Sequence, residues 1–115
     1  MRQISILHLI TELSSGGAQT ALVRLISGLD RERFDLSIAC LYNGDGAPAH
    51  QIRSMGIQVI DLGMQEDKRR LDVFVRLYNL LRQEKPDILH TWLFHANIPG
   101  RVIGRLAGIP VILSS

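Results

Sequence analysis

The chain opens with a nearly continuous apolar run, Ile4, Ile6, Leu7, Leu9 and Ile10, and shortly after it the apolar period changes. Ala18, Ala21, Leu22, Leu25, Ile26 and Leu29 recur at spacings of three and four, the stripe of a helix buried along one side. A segment apolar at successive positions needs cover on both of its faces, which is the condition of a strand inside a parallel sheet. The pair therefore reads as a strand, Gln3 to Ile10, followed by a helix that packs back onto it. Where one gives way to the other stands Ser14-Ser15-Gly16-Gly17-Ala18-Gln19. Two glycines at such a junction let backbone approach a ligand closely, and the amides that open a helix offer partial positive charge to an anion. A tight structural turn explains the same residues equally well.

The switch of period repeats down the chain. Phe34 to Leu41 reads as a second strand closed by the turn residues Asn43-Gly44-Asp45-Gly46, and Ala47 to Met55 as a short helix stopped by Gly56. Ile57 to Leu62 supplies a third strand. After the polar loop Gln65-Glu66-Asp67-Lys68, a long helix buries Val73, Phe74, Leu77, Leu80 and Leu81. Pro86-Asp87 breaks it, and Ile88 to Trp92 forms the fourth strand. The spacing predicts a last helix over His95 to Ala107, with Asn97 as its cap, Pro99 in its first turn and Gly108 at its end; Val111, Ile112 and Leu113 begin a fifth strand.

Strands alternating with helices imply right-handed crossovers, so the expected fold is α/β: a Rossmann-like parallel sheet with helices on both faces. At 115 residues, 46% of them hydrophobic, the chain fits one domain spanning 1–115. Thirteen basic residues against eleven acidic ones give no bias toward nucleic acid. The single cysteine, Cys40, excludes an internal disulfide and sits in a strand, which suits a buried inert thiol and a reducing, cytoplasmic compartment. Neither a signal peptide nor an apolar stretch of the roughly 20 residues that span a bilayer is expected, so membrane contact would be peripheral.

Gly16-Gly17 lacks both the dinucleotide fingerprint and the lysine of a P-loop. His90 and His95, five positions apart without a supporting cysteine or carboxylate cluster, do not read as a metal site. His90, inside a strand, fits a satisfied structural histidine, whereas His95 stands where a helix opens at the ligand-binding edge and could orient a hydroxyl or handle its proton. Trp92 suits either packing or a sugar face at a cleft rim. Gly100, Gly104 and Gly108 form a flat helical stripe for close packing, and Arg101 and Arg105 line a neighbouring stripe that reads as solvated, with Arg101 closer to the cleft. Lys68-Arg69-Arg70 could touch anionic lipid but reads more simply as soluble surface.

In this order, Gly16-Gly17-Ala18-Gln19, Gly56-Ile57-Gln58-Val59, Lys85-Pro86-Asp87-Ile88-Leu89-His90-Thr91-Trp92, His95-Ala96-Asn97, Gly100-Arg101 and Ala107-Gly108-Ile109-Pro110 resemble the amino-terminal domain of family 4 glycosyltransferases from end to end. The resemblance implies one half of a GT-B architecture and a retaining, metal-independent transferase without a cofactor. It moves sugar from a nucleotide-sugar donor to a carbohydrate or lipid-linked acceptor in cell-envelope or exopolysaccharide biosynthesis. It further implies a carboxy-terminal partner domain that carries most donor contacts, so that this chain by itself is inactive. His95 is the catalytic candidate, and Gly16, Gly17, Gln19, His90, Trp92, Asn97 and Arg101 are substrate-binding candidates. Gln19 stands where the family often has Glu, and Trp92 where many members have a second histidine. A stand-alone module for a nucleotide or phosphorylated ligand, and a protein-interaction domain, are the alternative readings.

Overall fold

The computed structural model describes residues 2–64 and 70–115, the side chains of 70–71 and 94–98 excepted. The loop 65–68 and, but for the backbone of Arg70, the basic run at 68–70 thus lie outside the described residues. Five strands, β1 (Ile4–Glu12), β2 (Phe34–Tyr42), β3 (Gln58–Asp61), β4 (Ile88–Trp92) and β5 (Val111–Ser114), alternate with α1 (Gly17–Gly28), α2 (Ala47–Ser54), α3 (Arg70–Glu84) and α4 (Phe94–Leu106). The strands are all parallel, in the order β3-β2-β1-β4-β5.

Alternation along the strands divides the interior into two cores. Ile6, Ile10, Leu36, Ile38, Cys40 and Trp92 face α1 and α2 through Leu22, Ile26, Ala49 and Ile52. Leu7, Leu9, Ala39, Leu41 and Leu89 face the other way, onto Val73, Leu77 and Leu81 of α3 and Ala107. Each fully buried aliphatic side chain contributes about 1.5–3 kcal/mol, so β1, buried from both sides, is the spine of the domain. At the base of the sheet, Asp87 ties β4 to β1: its carboxylate accepts the Ser5 amide at 2.9 Å, and its own amide donates to the Ser5 carbonyl at 2.8 Å.

Two sequence expectations are corrected at α4. The helix begins at Phe94 with Leu93 as its N-cap, so Asn97 is not the cap and Pro99 is the sixth helical residue instead of lying in the first turn. Proline there withholds an N–H from the carbonyl four residues back. Packing outweighs that loss, because a Cβ on Gly100 would lie 2.4 Å from the Thr91 methyl and one on Gly104 would lie 2.8 Å from Leu89, so this helix presses backbone against the sheet. Gly108 does not extend the stripe. Nothing lies within 4 Å of where its Cβ would be, and it serves through its φ of +78°, turning the chain out of the helix.

The sheet order has one switch point. From β1 the chain steps outward to β2 and β3, then returns to lay β4 on the other side of β1. Loops leaving neighbouring strands in opposite directions open a crevice beyond their carboxyl ends, and here those loops follow β1 and β4.

Candidate functional site

At the first corner, β1 ends on Glu12, and the chain must turn sharply to start α1. Gly16 adopts φ +154°, a conformation that favours glycine, and a Cβ there would lie 2.6 Å from Oε1 of Gln19 and push that side chain aside. Gln19 is turned inward and is only 4% exposed. Its Nε2 donates to the Glu12 carboxylate at 2.6 Å and to the Glu12 carbonyl at 3.2 Å. The other carboxylate oxygen accepts the Ser14 amide at 3.1 Å and the Ser14 hydroxyl. A polar clasp thus draws both ends of the loop together from below. Behind it, the loop after β2 closes in: a Cβ on Gly46 would lie 2.2 Å from the Leu13 carbonyl oxygen and 2.5 Å from the Ser14 Cα.

No side chain caps α1 and its first turn holds no acidic residue. A helix start without such partners keeps amide donors and partial positive charge for a ligand. A shallow depression opens there, lined by Gly16, Gly17, Thr20, Ala21, Arg24 and Leu25. Gly17 is exposed, and a Cβ would meet nothing within 4 Å.

The second corner is built from rings. Register pairs His8 with His90 and Ile10 with Trp92, on the face that α1 and α2 cover. The Trp92 indole Nε1–H donates to Nδ1 of His8 at 3.1 Å. The imidazole of His90 stacks on the indole with centroids 4.5 Å apart and planes 24° apart, and Nε2 of His90 bonds to the Ser115 hydroxyl at 2.6 Å. Burial, with His90 close by, pushes the His8 imidazole down to about 3, and burial lowers His90 too, so both rings are neutral at neutral pH. Immediately after Trp92, Leu93 turns the chain at φ +72° and α4 departs.

The expected site residues fall into three groups. Gly16 and Gly17 lie exposed at the mouth of the first corner. Gln19, Trp92 (8% exposed) and, in part, His90 are folded in beneath the two corners, each with a side-chain nitrogen bonded to protein. The backbones of His95 and Asn97 belong to the first turn of α4, and their side chains lie outside the described residues. Arg101 is exposed two turns down that helix, about 10 Å along its axis. Sequence reasoning missed Glu12 and His8 as partners of the site residues. The signal was there: they are the two strongly polar residues within and at the end of an otherwise apolar strand.

Cys40 is fully buried, and burial together with Asp61 pushes its thiol up to about 12, an inert thiol. Among the described residues no three histidine, cysteine or carboxylate side chains gather as metal ligands would.

A profile of Glycosyltransferase Family 4 matches residues 15–115. The chain is 28% identical to the Escherichia coli UDP-Gal:alpha-D-GlcNAc-diphosphoundecaprenol alpha-1,3-galactosyltransferase, over 96% of this chain and 29% of that protein. Among solved structures it resembles MurG of Acinetobacter baumannii (TM-score 0.73, 16% identity, 96% of this chain and 35% of that one). It also resembles the O-GlcNAc transferase of Thermobaculum terrenum (TM-score 0.75, 18% identity, 98% and 20%). The chain therefore spans about a third or less of the length of each of these three.

Proposed function

Because the chain belongs to glycosyltransferase family 4, we propose that it forms the acceptor-side half of a retaining, metal-independent hexosyltransferase whose second half holds the nucleotide-sugar donor. The acceptor is a carbohydrate or a lipid-linked sugar diphosphate, the class named for the Escherichia coli relative, in cell-envelope or exopolysaccharide biosynthesis. The observation that supports this reading is the adjacency of the two corners. The Gly16-Gly17 loop and the start of α4 leave neighbouring strands at the one switch point of the sheet, where ligands of open α/β sheets bind.

In such a transfer an acceptor hydroxyl bonds to the anomeric carbon, the bond from that carbon to the nucleoside diphosphate breaks, and the hydroxyl gives up its proton. Negative charge builds on the departing phosphate. Amides at the open start of α1 suit that charge, and Gly17 leaves them room to approach it. His95, in the first turn of α4, orients the acceptor hydroxyl or takes its proton. Asn97 and Arg101 position hydroxyls or phosphate, while Gln19, His90 and Trp92 serve from behind by fixing the two corners. Among the described residues no helix is long and apolar enough to cross a membrane; the reading includes a cytoplasmic protein in peripheral contact with the inner membrane face.

The test is His95→Ala in an enzyme that joins residues 1–115 to its donor-binding half. Loss of the acid–base group is expected to lower turnover by about 100-fold or more with circular dichroism unchanged. Turnover at the wild-type level would remove His95 from the chemistry.

A further inference from the structure

We propose that His8, a residue of the central strand, is a positioning residue for the β4–α4 corner: its Nδ1 holds the Trp92 indole and, through it, the strained turn at Leu93 from which α4 departs. The functional weight of this inference rests on the reading that the corner serves sugar transfer; the structural link stands by itself.

Leu93 is a non-glycine residue at φ +72°, ψ 154°. Such a conformation persists only where the surroundings over-determine it. On one face of the sheet, Gly100 locks α4 against Thr91, with room for no Cβ at all. On the other face the restraint is the Trp92–His8 hydrogen bond, 3.1 Å long and joining residues 84 positions apart in sequence. The indole of the last β4 residue reaches one residue pair back along the sheet, from the Ile10–Trp92 level to the His8–His90 level, and the His90 ring supports it by stacking. The strand end is thus held from both faces just before the chain bends.

The chemistry of His8 argues that it is kept for this bond. To accept at Nδ1 the imidazole must be neutral, with its hydrogen on Nε2. That Nε2 is buried, in a residue 1% exposed, and has no hydrogen-bond partner. An unmade buried bond is a cost that leucine at the same place would avoid. A core filler chosen for packing would be aliphatic, like Ile6 and Ile10 on the same face of the strand. Burial that holds the ring neutral, with its pKa at about 3, keeps the acceptor available across the physiological range.

The experiment uses His8→Leu, His8→Asn and Trp92→Phe. The chain has one tryptophan, so nitrogen-15 labelling gives one indole N–H resonance. In the wild-type chain it should exchange slowly and show a coupling across the hydrogen bond to Nδ1 of His8. His8→Leu is expected to shift that resonance and to speed amide exchange in the first two turns of α4 by about tenfold or more, leaving α2 unchanged. His8→Asn puts an acceptor oxygen near the place of Nδ1 and should restore protection to within about threefold. Trp92→Phe should match His8→Leu, and the double variant should be no worse than either single one.

A packing role predicts the reverse ranking, with leucine tolerated and asparagine damaging; that ranking, or a wild-type indole without the coupling, overturns the proposal. Should His8→Leu fail to fold, His8→Asn and Trp92→Phe decide it alone, with protection kept in the first and lost in the second. If α4 loosens in His8→Leu while sugar transfer by the joined enzyme stays at the wild-type rate, the positioning role holds and the catalytic use of this corner fails.

Discussion

The two corners at the switch point solve the same problem, leaving a parallel strand and starting a helix, by opposite means. After β1 the turn is made by a glycine at φ +154° and tied by polar atoms, Glu12 to Ser14 and Gln19. After β4 it is made by a leucine at φ +72° and tied by rings, Trp92 to His8 with His90 stacked alongside. The first turn keeps its outer surface bare, which on the proposed reading leaves backbone amides open to an anion. The second fills its buried volume with rings that hold the strand end, which on the proposed reading fixes the helix that carries His95.

Acid should break the second corner first, and this is the largest effect. His8 has a pKa of about 3 in the folded chain against 6.5 in its absence. Below about 6.5 the unfolded chain takes up a proton that the folded chain refuses until about pH 3, so stability is complete above that range and falls as pH drops through it. Urea melts followed by Trp92 fluorescence should lose about 2 kcal/mol between roughly pH 7.5 and 5. His8→Asn should flatten that slope, apart from a smaller contribution of the same sign from His90.

At the first corner the corresponding blow is Gln19→Glu. It sets a second carboxylate where Nε2 now donates to Glu12 at 2.6 Å. The clasp then repels itself, costing about 1–2 kcal/mol near neutral pH. Protonating either carboxyl removes the repulsion, so this loss should shrink as pH falls, a pH response opposite in sign to that of the second corner. A Gln19→Glu variant whose deficit grows in acid would mean that the two corners are not held as described.

The smallest change in stability separates structure from use. Gly17→Ala adds a Cβ that meets nothing within 4 Å at a helical position, so stability should stay within about 0.5–1 kcal/mol of wild type or rise. In the joined enzyme, donor KM should nevertheless increase, because on the proposed reading the methyl would stand where the phosphates approach. An unchanged KM would take the loop off the donor's path.

Much of the fold was legible because it rests on local signals. Continuous apolar runs between turn residues located the strands, the three-to-four spacing located the longer helices, and crossover handedness placed helices on both faces. What escaped depends on which strands become neighbours. Nothing within ten residues of His8 reveals that Trp92 will lie beside it; that follows only from β4 returning next to β1. Gln19, a substrate-binding candidate through the resemblance, has its side chain turned inward because Glu12 ends the preceding strand there. Pro99 misled for a related reason. Its local preference marks a helix start, and the tight seat of Gly100 and Gly104 on the sheet overrides that preference. Gly16 was the part of the first corner most legible in advance, since its backbone conformation, φ +154°, is written directly in residue type.

The close seat of Gly46 gives the glycine loop a mechanical stop. With the Leu13 carbonyl and the Ser14 Cα filling the space where a side chain would stand, any residue but glycine at 46 would push the β1–α1 loop aside. The shape of the first corner is thus set in part by a residue of the next turn, about thirty positions along the chain.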